Sequence, residues 1–385
     1  MTHVSGDWLT NPATQRVLAM LDTDGHQSLL VGGCVRNALL GAPVSDIDIA
    51  TDALPQQVMD LAQRAGLKAI PTGIDHGTIT VVADSIPHEI TTFRSDIDTD
   101  GRHAVVQFSK SVTQDARRRD FTMNALYARA DGSVVDPLNG LKDLQNRHVR
   151  FINDPNARIT EDYLRILRFF RFHAWYGDQN EGLDADGLAA CAAHSAGIES
   201  LSKERVTAEL LKLLAAPNPA PSVASMNSAG CLMRVLPGSD PKALPILVDL
   251  EQQFVLAPEP IRRLAVLGQF ESDDNLRLSN IQQRRLNQLR FVITNQTSVA
   301  ELGYRHGAAT GLDMALISAA MTETPPPPDL KNDLSTGAAA TFPVTAHDLM
   351  PAFQGPALGQ KLATLEADWI ASGFAKKKAD LLRFS

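Results

Sequence analysis

The chain has 385 residues, of which 44% are hydrophobic and 21% are charged, and its formal net charge is -8. A single core stops growing at about 250 to 300 residues, so the length predicts more than one domain, and the composition excludes a disordered protein. No apolar run approaches the ~20 residues that span a bilayer, and the N-terminus lacks a signal-peptide pattern, so we expect a cytoplasmic protein without membrane contact. Three widely spaced cysteines, without a C-x-x-C pair, argue against a disulfide framework and a zinc site: Cys34, Cys191 and Cys231.

The charge is distributed unevenly along the chain. Residues 1–100 contain 5 Lys and Arg against 13 Asp and Glu, whereas residues 101–175 contain 13 against 8. A basic stretch of this kind can bind polyphosphate or an RNA backbone even in an acidic protein. A solvated basic face is the alternative interpretation for any single arginine in it. The net charge therefore does not exclude a nucleic-acid partner.

The predicted elements divide the chain into an α/β part and a helical part. A first helix is predicted where apolar residues recur at helical spacing, over residues 8–22. A buried strand, a helix, an alternating strand and another helix are predicted over residues 28–33, 34–41, 45–51 and 55–66. Further strands are predicted over residues 77–84, 87–95 and 104–109. The rest of the chain is almost wholly helical, with helices predicted over residues 161–176, 187–195, 203–216, 260–270, 282–293 and 357–373.

Two glycines stand close to two aspartates in the stretch GGCVRNALLGAPVSDIDIATD, residues 32–52. Side chains two apart in a strand share a face, so Asp46 and Asp48 would project together, about 7 Å apart. Two carboxylates on a rigid strand favour Mg²⁺. A strand that ends at Gly32 and Gly33 and leads into a helix lets backbone N–H groups approach an anion. Together these features favour a nucleotide with its metal, and hence nucleotidyl transfer.

Five motifs follow one another along the chain: GGCVRNALLG with DIDIAT, IPTGIDHGTITVV with HEITTFRSD, DARRRDFTMNALY, DPLNGLKDL and EDYLRILRFFRF. They resemble the motifs of the class II tRNA nucleotidyltransferases and bacterial poly(A) polymerases, members of the polymerase-beta-like superfamily. The resemblance implies an α+β fold, in which a polymerase-beta-like nucleotidyltransferase head, with a mixed sheet and helices, precedes an all-α neck, body and tail. The expected divisions are an N-terminal helix, a catalytic head, a neck that selects the nucleobase, and a body and tail that bind tRNA, over residues 1–25, 26–145, 146–215 and 216–385.

The resemblance assigns roles to residues of the head. It implies that Asp46 and Asp48 hold Mg²⁺, with Glu89 either a third ligand or an ordinary exposed strand residue. It implies contacts with the phosphates and sugar of the incoming nucleotide by Gly32, Gly33, Arg36, Arg118, Arg119, Asp120 and Asn124. The family usually has V-R-D where this chain has Val35-Arg36-Asn37. The role of Asn37 is therefore open, although its amide could replace the carboxylate by hydrogen bonding.

Nucleobase selection is implied for Asp162 and Arg165 in the motif E-D-x-x-R. Residues three apart on one helix share a face and would present a carboxylate beside a guanidinium. The carboxylate can accept from N4 of cytosine or N6 of adenine, while the arginine donates to the neighbouring acceptors. Uracil and guanine have a carbonyl in place of that amine, so the pair would reject them. Arg168 and Arg171 would continue the basic stripe towards phosphate or RNA.

These residues and the resemblance predict template-independent addition of CCA to the 3′ end of tRNA from CTP and ATP. The alternatives are a poly(A) polymerase of the same family, a CC-only or A-only tRNA nucleotidyltransferase, and a non-catalytic RNA-binding protein. In the family, a loop matching residues 96–104 is tied to the switch from C to A addition. Its presence here favours the full CCA enzyme over the CC-only one, through Asp98, Asp100 and Arg102. The sequence leaves the oligomeric state open.

Overall fold

The computed structural model describes residues 2–96, 106–268, 275–295 and 297–383. The chain divides into two compact units, Met1–Val235 and Leu236–Ser385. The first unit combines strands and helices, and the second is helical where it is described. The finer division into head, neck, body and tail stays a prediction.

A mixed sheet forms the centre of the first unit. The strands in chain order are β1 (Ser28–Val31), β2 (Asp48–Thr51), β3 (Lys68–Gly73), β4 (Thr78–Ala83), β5 (Ile86–Thr92), β6 (Arg94–Asp96), β7 (Val106–Phe108), β8 (Tyr127–Ala128) and β9 (Val134–Val135). Seven of them form one sheet in the order β3-β4-β5-β2-β1-β8-β9, and β6 pairs with β7. β2 and β5 run parallel, whereas the other neighbours in the sheet are antiparallel. The predicted α+β head is confirmed.

Helices surround this sheet and continue beyond it. In chain order they are α1 (Asp7–Thr10), α2 (Pro12–Asp22), α3 (Gly33–Leu39), α4 (Pro55–Arg64), α5 (Val112–Arg117), α6 (Gly140–Gln145), α7 (Pro155–Glu161), α8 (Leu164–Tyr176), α9 (Ala185–Ala193), α10 (Lys203–Leu214), α11 (Ala220–Ser228) and α12 (Cys231–Val235). The long helix α8 packs against α10 and α11. Helix α8 is amphipathic, and its buried face includes Ile166, Phe169 and Phe170.

Strand β1, in the interior of the sheet, is buried on both faces, which explains its apolar sequence. Leu29 and Val31 of β1 pack with Tyr127 of β8 in one core cluster. Leu30 is also fully buried, and alternation places it on the opposite face of β1. Helices α2 and α4 contact β4 and supply apolar side chains such as Val17. The sequence of a strand that is covered on both faces is a nearly continuous apolar run, as in the segment SLLV of β1.

Two predicted helices are interrupted in the structure. The helix predicted over residues 8–22 is two helices, because the side chain of Asn11 accepts from the N–H of Ala13 and starts α2 with Pro12 in its first turn. The helix predicted over residues 161–176 begins only at Leu164. Asp162 lies before it with extended backbone, at φ -155° and ψ 104°. The second interruption lies within a motif and changes the geometry of the candidate site.

The second unit consists of helices where it is described. They are α13 (Leu244–Gln253), α14 (Pro260–Ala265), α15 (Asn280–Thr294), α16 (Val299–His306), α17 (Ala308–Thr322), α18 (Leu330–Ala339), α19 (Ala346–Leu349), α20 (Gly355–Ala371) and α21 (Lys378–Leu382). Helices α16 and α18 pack so closely that a Cβ on Gly337 would lie 1.8 Å from the Ala300 carbonyl oxygen. Across the described ranges, we find no helix with the length and apolar character needed to cross a bilayer.

Candidate active site

Asp48 and Glu89 lie side by side on the parallel strands β2 and β5. The register pairs these two residues, and the Glu89 N–H donates to the Ile47 carbonyl at 3.1 Å. Strand β2 begins at Asp48, later than predicted, because β1 turns away at Gly32 and leaves the preceding residues without an antiparallel partner. Asp46 therefore lies just before the strand and is exposed, while the Ile47 side chain between the two aspartates is buried. The three predicted carboxylates belong to one region of the sheet.

The charge environment of Asp48 suits a cation. Burial and the charge of Glu89 raise the pKa of the Asp48 carboxyl to about 6, against the lowering effect of Arg119. Asp46 acts in the same direction as Glu89. Carboxylate oxygens are the donors that hard divalent ions prefer, and such an ion would relieve this crowding of negative charge.

The carboxylates are not assembled as a finished three-ligand centre. Within the described part of the chain, no three His, Cys, Asp or Glu side chains are gathered closely enough to hold a metal ion. Mg²⁺ commonly takes one or two protein carboxylates and completes its octahedron with water and substrate phosphate. Asp46 and Asp48 therefore fit such an ion by their chemistry, and the role of Glu89 stays a prediction.

The turn at Gly32 leaves space beside two arginines. Gly32 has φ 69° and ψ -117°, a conformation that favours glycine. A Cβ on Gly32 would lie 3.5 Å from Nη1 of Arg119, and a Cβ on Gly33 would lie 3.8 Å from Nη2 of Arg36. The absence of side chains at both glycines keeps the backbone close to these guanidinium groups.

Arg36 is buried and held by three polar side chains. Its Nη1 donates to Oδ1 of Asn124 at 2.5 Å, and its Nη2 donates to Oδ1 of Asn37 at 3.0 Å and to the Tyr176 hydroxyl at 2.9 Å. The guanidinium carbon lies 4.1 Å from the centroid of the Tyr176 ring, within cation–π distance. The amide oxygen of Asn37 thus accepts from Arg36, as a carboxylate at this position could.

Arg118 and Arg119 both pair with Asp115, a buried residue of α5. Nε of Arg118 donates to Oδ1 of Asp115 at 2.8 Å, and Nη2 of Arg119 donates to Oδ2 at 3.0 Å. The Tyr127 hydroxyl donates to the same Oδ2 at 2.8 Å. Burial opposes ionisation of Asp115, but the charges of Arg119 and Arg118 outweigh it and lower its pKa to about 2. Asp115 therefore fixes Arg119 beside the turn at Gly32.

Asp120 and Asn124 connect the sheet to helices α8 and α10. Oδ1 of Asp120 accepts from Nδ2 of Asn124 at 2.8 Å, and its Oδ2 accepts from Nε of Arg168 at 2.8 Å. Nη1 of Arg168 lies 3.9 Å from Oε1 of Glu209, within ion-pair distance. Oε2 of Glu209 accepts from Nε of Arg171 at 2.6 Å. Burial opposes the charge of Asp120, but Arg168 outweighs it and lowers the pKa of Asp120 to about 2. We name these connected residues the site network, which consists of Asn37, Arg36, Asn124, Asp120, Arg168, Glu209 and Arg171.

The expectation that Asp162 and Arg165 stand side by side on one helical face is wrong for this structure. Oδ1 of Asp162 accepts from the Leu164 N–H at 3.1 Å, and this contact at the start of α8 interrupts the helix. Oδ2 of Asp162 accepts from Nη2 of Arg205 at 2.8 Å. Arg165 instead donates to Glu161 and to a backbone carbonyl of α7. The two residues are neighbours in the chain with different partners.

Sequence reasoning missed the residues that hold the predicted ones in place: Asp115, Arg158, Phe172, Tyr176, Arg205 and Glu209. The Phe172 ring centroid lies 5.2, 5.3 and 4.6 Å from the guanidinium carbons of three arginines, Arg36, Arg168 and Arg171. A signal existed for Asp115, because it lies three and four residues before Arg118 and Arg119. Nothing local indicated Arg205 or Glu209, since their partners lie 43 and 38 positions earlier in the chain.

The loop predicted over residues 96–104 cannot be compared with the structure. Asp98, Asp100 and Arg102 lie outside the described residues. On either side of the gap, β6 and β7 form an antiparallel pair with Asp96 opposite Val106. The expected link to the switch from C to A addition stays a prediction.

Known families and structures are similar to this chain over most of its length. Residues 28–150 match the family model described as Poly A polymerase head domain, and residues 183–242 match one described as "Probable RNA and SrmB- binding site of polymerase A". The human protein named CCA tRNA nucleotidyltransferase 1, mitochondrial, is 32% identical over 389 residues, covering 94% of this chain and 87% of the relative. The CCA-adding enzyme of Levilactobacillus brevis is 38% identical over 216 residues, covering 56% and 53%.

Solved structures agree with this result. The crystal structure of the Bacillus stearothermophilus CCA-adding enzyme in complex with CTP has a TM-score of 0.71 and 27% identity, covering 94% of this chain and 92% of that chain. The Thermotoga maritima CCA-adding enzyme complexed with tRNA has a TM-score of 0.69 at 17% identity, which supports the fold alone.

The mixed sheet, its adjacent carboxylates and the matched head domain define the class of protein as a nucleotidyltransferase. Within that class, the chain belongs to the CCA tRNA nucleotidyltransferase family, also called CCA-adding enzymes. Enzymes of this kind generally depend on a divalent metal ion. The human relative is named as mitochondrial, so the cytoplasmic location of this chain stays a prediction.

Proposed function

We propose that this chain adds CCA to the 3′ end of tRNA from CTP and ATP, with Mg²⁺ and without a nucleic-acid template. The observation that supports the proposal most strongly is the similarity to a CCA tRNA nucleotidyltransferase over 94% of the chain. Solved structures of CCA-adding enzymes include complexes with CTP, with ATP and with tRNA. The role of each residue is inferred from the geometry of the site and from general chemistry.

Asp46 and Asp48 would hold the metal. A bound Mg²⁺ neutralises phosphate charge and lowers the pKa of an attacking hydroxyl. Asp48 lies on a rigid strand, whereas Asp46 lies on the exposed segment before it. Asp48 would therefore fix the position of the site, and Asp46 can adjust to the incoming triphosphate.

Arg36 and Arg119 would bind the triphosphate beside the glycine turn. Arg119 approaches Gly32 with Nη1, while its Nε and Nη2 stay on Asp115. Its orientation is thus set before a nucleotide arrives, which reduces the entropy lost on binding. Arg118, which donates to the same carboxylate of Asp115, would add positive charge beside the triphosphate. Asp120 and Asn124 would hold Arg36 and contact the ribose.

Asp162 would select cytosine and adenine by accepting from the exocyclic amine. Arg165 would donate to the adjacent ring nitrogen after exchanging its contact with Glu161 for the base. A charge-assisted hydrogen bond contributes about 1.5 to 3 kcal/mol, so such an exchange needs a partner of comparable strength. A base with an acceptor in place of the amine would face a carboxylate and be rejected.

The proposal is tested with purified protein and tRNA that lacks its last three nucleotides. With Mg²⁺ we expect CTP alone to add C, and CTP with ATP to complete CCA and then stop. Long tails made with ATP alone would indicate a poly(A) polymerase, and no incorporation under any condition would refute an enzyme.

Variants test the metal site separately. Asp48→Asn should abolish incorporation and Mg²⁺ binding in calorimetry without unfolding the protein. Asp84→Asn, on the exposed turn between β4 and β5, is the matched control and should behave as the unaltered protein. An active Asp48→Asn variant would refute the assignment. Glu89→Gln decides whether Glu89 is a ligand, because only a ligand would lower the affinity for Mg²⁺ well beyond the control.

A further inference from the structure

We infer that Arg205 is a positioning residue for base selection, because it fixes the orientation of the Asp162 carboxylate. The inference rests on the proposed function and extends it to a residue of α10, outside the E-D-x-x-R motif. Nη2 of Arg205 donates to Oδ2 of Asp162 at 2.8 Å, while the Leu164 N–H donates to Oδ1 at 3.1 Å. Each carboxylate oxygen therefore has one fixed donor.

The backbone at this position is held without Arg205. The Tyr163 ring packs on Gly197, where a Cβ would lie 2.1 Å from Cδ1 of that ring. The Leu164 N–H holds one oxygen of Asp162 from within α8 itself. Arg205 is thus the second contact, beside the Leu164 N–H, that stops the carboxylate from turning about the bond to its Cβ, and the carboxylate keeps further lone pairs for a base.

Arg165 does not perform this task in the structure. Its Nη1 donates to Glu161 and to the Arg158 carbonyl at 2.7 Å, and its Nη2 lies 3.3 Å from the Arg118 carbonyl oxygen. Arg168 is close enough to interact with the charge of Asp162, but its Nε donates to Asp120. Among these cations, Arg205 is the one that donates directly to the Asp162 carboxylate.

The position of Arg205 in its own helix is locally unfavourable. Ser202 caps α10 and accepts from the Arg205 N–H, which makes Arg205 the third helical residue. Glu or Gln is the residue that completes a capping box here, and a cation at a helix N-terminus opposes the dipole. Local structure therefore disfavours arginine at position 205, and its ion pair with the distant carboxylate of Asp162 explains why an arginine is present there.

The ion pair is too exposed to be a main source of stability. The side chains of Arg205 and Asp162 are 49% and 34% exposed, and ion pairs of this kind contribute little to folding. Removing Arg205 should therefore leave the fold intact and change only what the carboxylate does. This separates a positioning role from a structural one.

The test compares Arg205→Ala with Arg205→Lys and Arg234→Ala. Arg234 pairs with Glu199 at 2.6 Å, with side chains 46% and 59% exposed, and serves as a matched control in the same unit. Single-nucleotide addition measures kcat/KM for CTP against UTP, and for ATP against GTP on tRNA that ends in CC. We expect Arg205→Ala to lower both ratios about tenfold with an unchanged melting temperature, Arg205→Lys to recover part of them, and Arg234→Ala to leave them unaltered.

A double variant checks that the effect passes through Asp162. In an Asp162→Ala background, Arg205→Ala should change neither ratio further, because the carboxylate it orients is gone. Unchanged ratios in Arg205→Ala, or a raised KM for tRNA alone, would overturn the inference and assign Arg205 to the RNA backbone. If the unaltered protein adds neither C nor A, the proposed function fails; if it does and only the ratios stay constant, the inference alone fails.

Discussion

Two networks of arginines and acidic side chains, one in each unit, differ in their access to solvent. In the second unit, Glu251 accepts from Nε of both Arg262 and Arg263, at 2.7 and 2.8 Å, and Asp313 accepts from Arg262 and Arg285. We name the buried cluster by its four buried members, Glu251, Arg262, Arg263 and Asp313, and Arg285 pairs with it at its solvent-accessible edge. The Arg262 and Glu251 side chains are 5% and 2% exposed, whereas Arg168 in the site network is 30% exposed.

From this difference in exposure, we expect similar ion pairs to serve different purposes in the two units. The buried cluster connects α13, α14 and α17, with Arg285 linking it to α15, and its core at Glu251 and Arg263 is closed to solvent. The site network reaches solvent, and its Arg36 lies beside the Gly33 backbone, close to the carboxylate strands. A fully desolvated pair fixes a packing arrangement, while a partly exposed one can exchange partners with a charged ligand.

The largest effect on stability is expected in the buried cluster. Glu251→Ala leaves two buried guanidinium groups without their shared carboxylate, and breaking a buried pair costs about 3 to 5 kcal/mol. Chemical denaturation measures the loss. Lys242→Ala is the control, because its side chain is 84% exposed and should change the unfolding free energy by less than about 0.5 kcal/mol. Equal losses in both variants would remove the distinction between the networks.

In the site network, activity should fall further than stability. Asp120→Asn removes the charge that Arg168 pairs with, but Arg168 can turn to Glu209 or to water. We expect the unfolding free energy to fall by about 1 to 3 kcal/mol, and kcat/KM for CTP to fall about a hundredfold or more because Asn124 and Arg36 lose their alignment. A loss of stability without a change in kcat/KM would make this network purely structural.

Acid should weaken two buried ion pairs beside the candidate site, those of Asp115 and Asp120, in a defined pH range. Asp115 and Asp120 have folded-state pKa values of about 2, below the ordinary 3.8, so their stabilisation is complete above about pH 4 and is lost as the pH falls towards 2. Each should lose about 2 kcal/mol over that range. Denaturation between pH 2 and 6 measures the change, and Asp115→Asn should flatten the curve. A curve unaltered by that substitution would contradict the assignment.

The smallest effect is expected at Asn37. Asn37→Asp keeps an acceptor for Arg36 and adds charge, but it replaces the Nδ2 that donates to the Pro43 carbonyl at 3.0 Å. The stronger pairing with Arg36 and the lost hydrogen bond to Pro43 act in opposite directions. We therefore expect kcat/KM for CTP to stay within about threefold of that of the unaltered protein, and the unfolding free energy within about 1 kcal/mol. Steady-state kinetics and denaturation check this. A tenfold gain would show that the amide is a poor substitute for the carboxylate.

Much of the head could be predicted from the sequence. Local patterns determine the strand SLLV, the turn at Gly32 and the helix over residues 55–66, because alternation, glycine and a leading proline act over a few residues. The turn in DPLNG is equally local, since Asp136 accepts from the N–H groups of Gly140 and Leu141. The sequence also placed Asp48 and Glu89 on separate strands, although it could not show that these strands are parallel neighbours.

The predicted Asp162 and Arg165 pair shows where local reasoning ends. Helical spacing alone favours one continuous helix over residues 161–176. In the structure the Asp162 side chain accepts from the N–H of Leu164, the first residue of α8, so the helix begins only after Asp162.

The sequence by itself determined the motifs, the element types and the family to which the chain belongs, because these depend on residue identity and spacing. Only the tertiary structure decided the charged partners that lie far apart in the chain: Glu209 between Arg168 and Arg171, and Arg205 on Asp162. Such partners are distant in the chain, and a guanidinium can donate to any carboxylate that packing brings within reach, so the spacing of the residues in the sequence does not predict the choice.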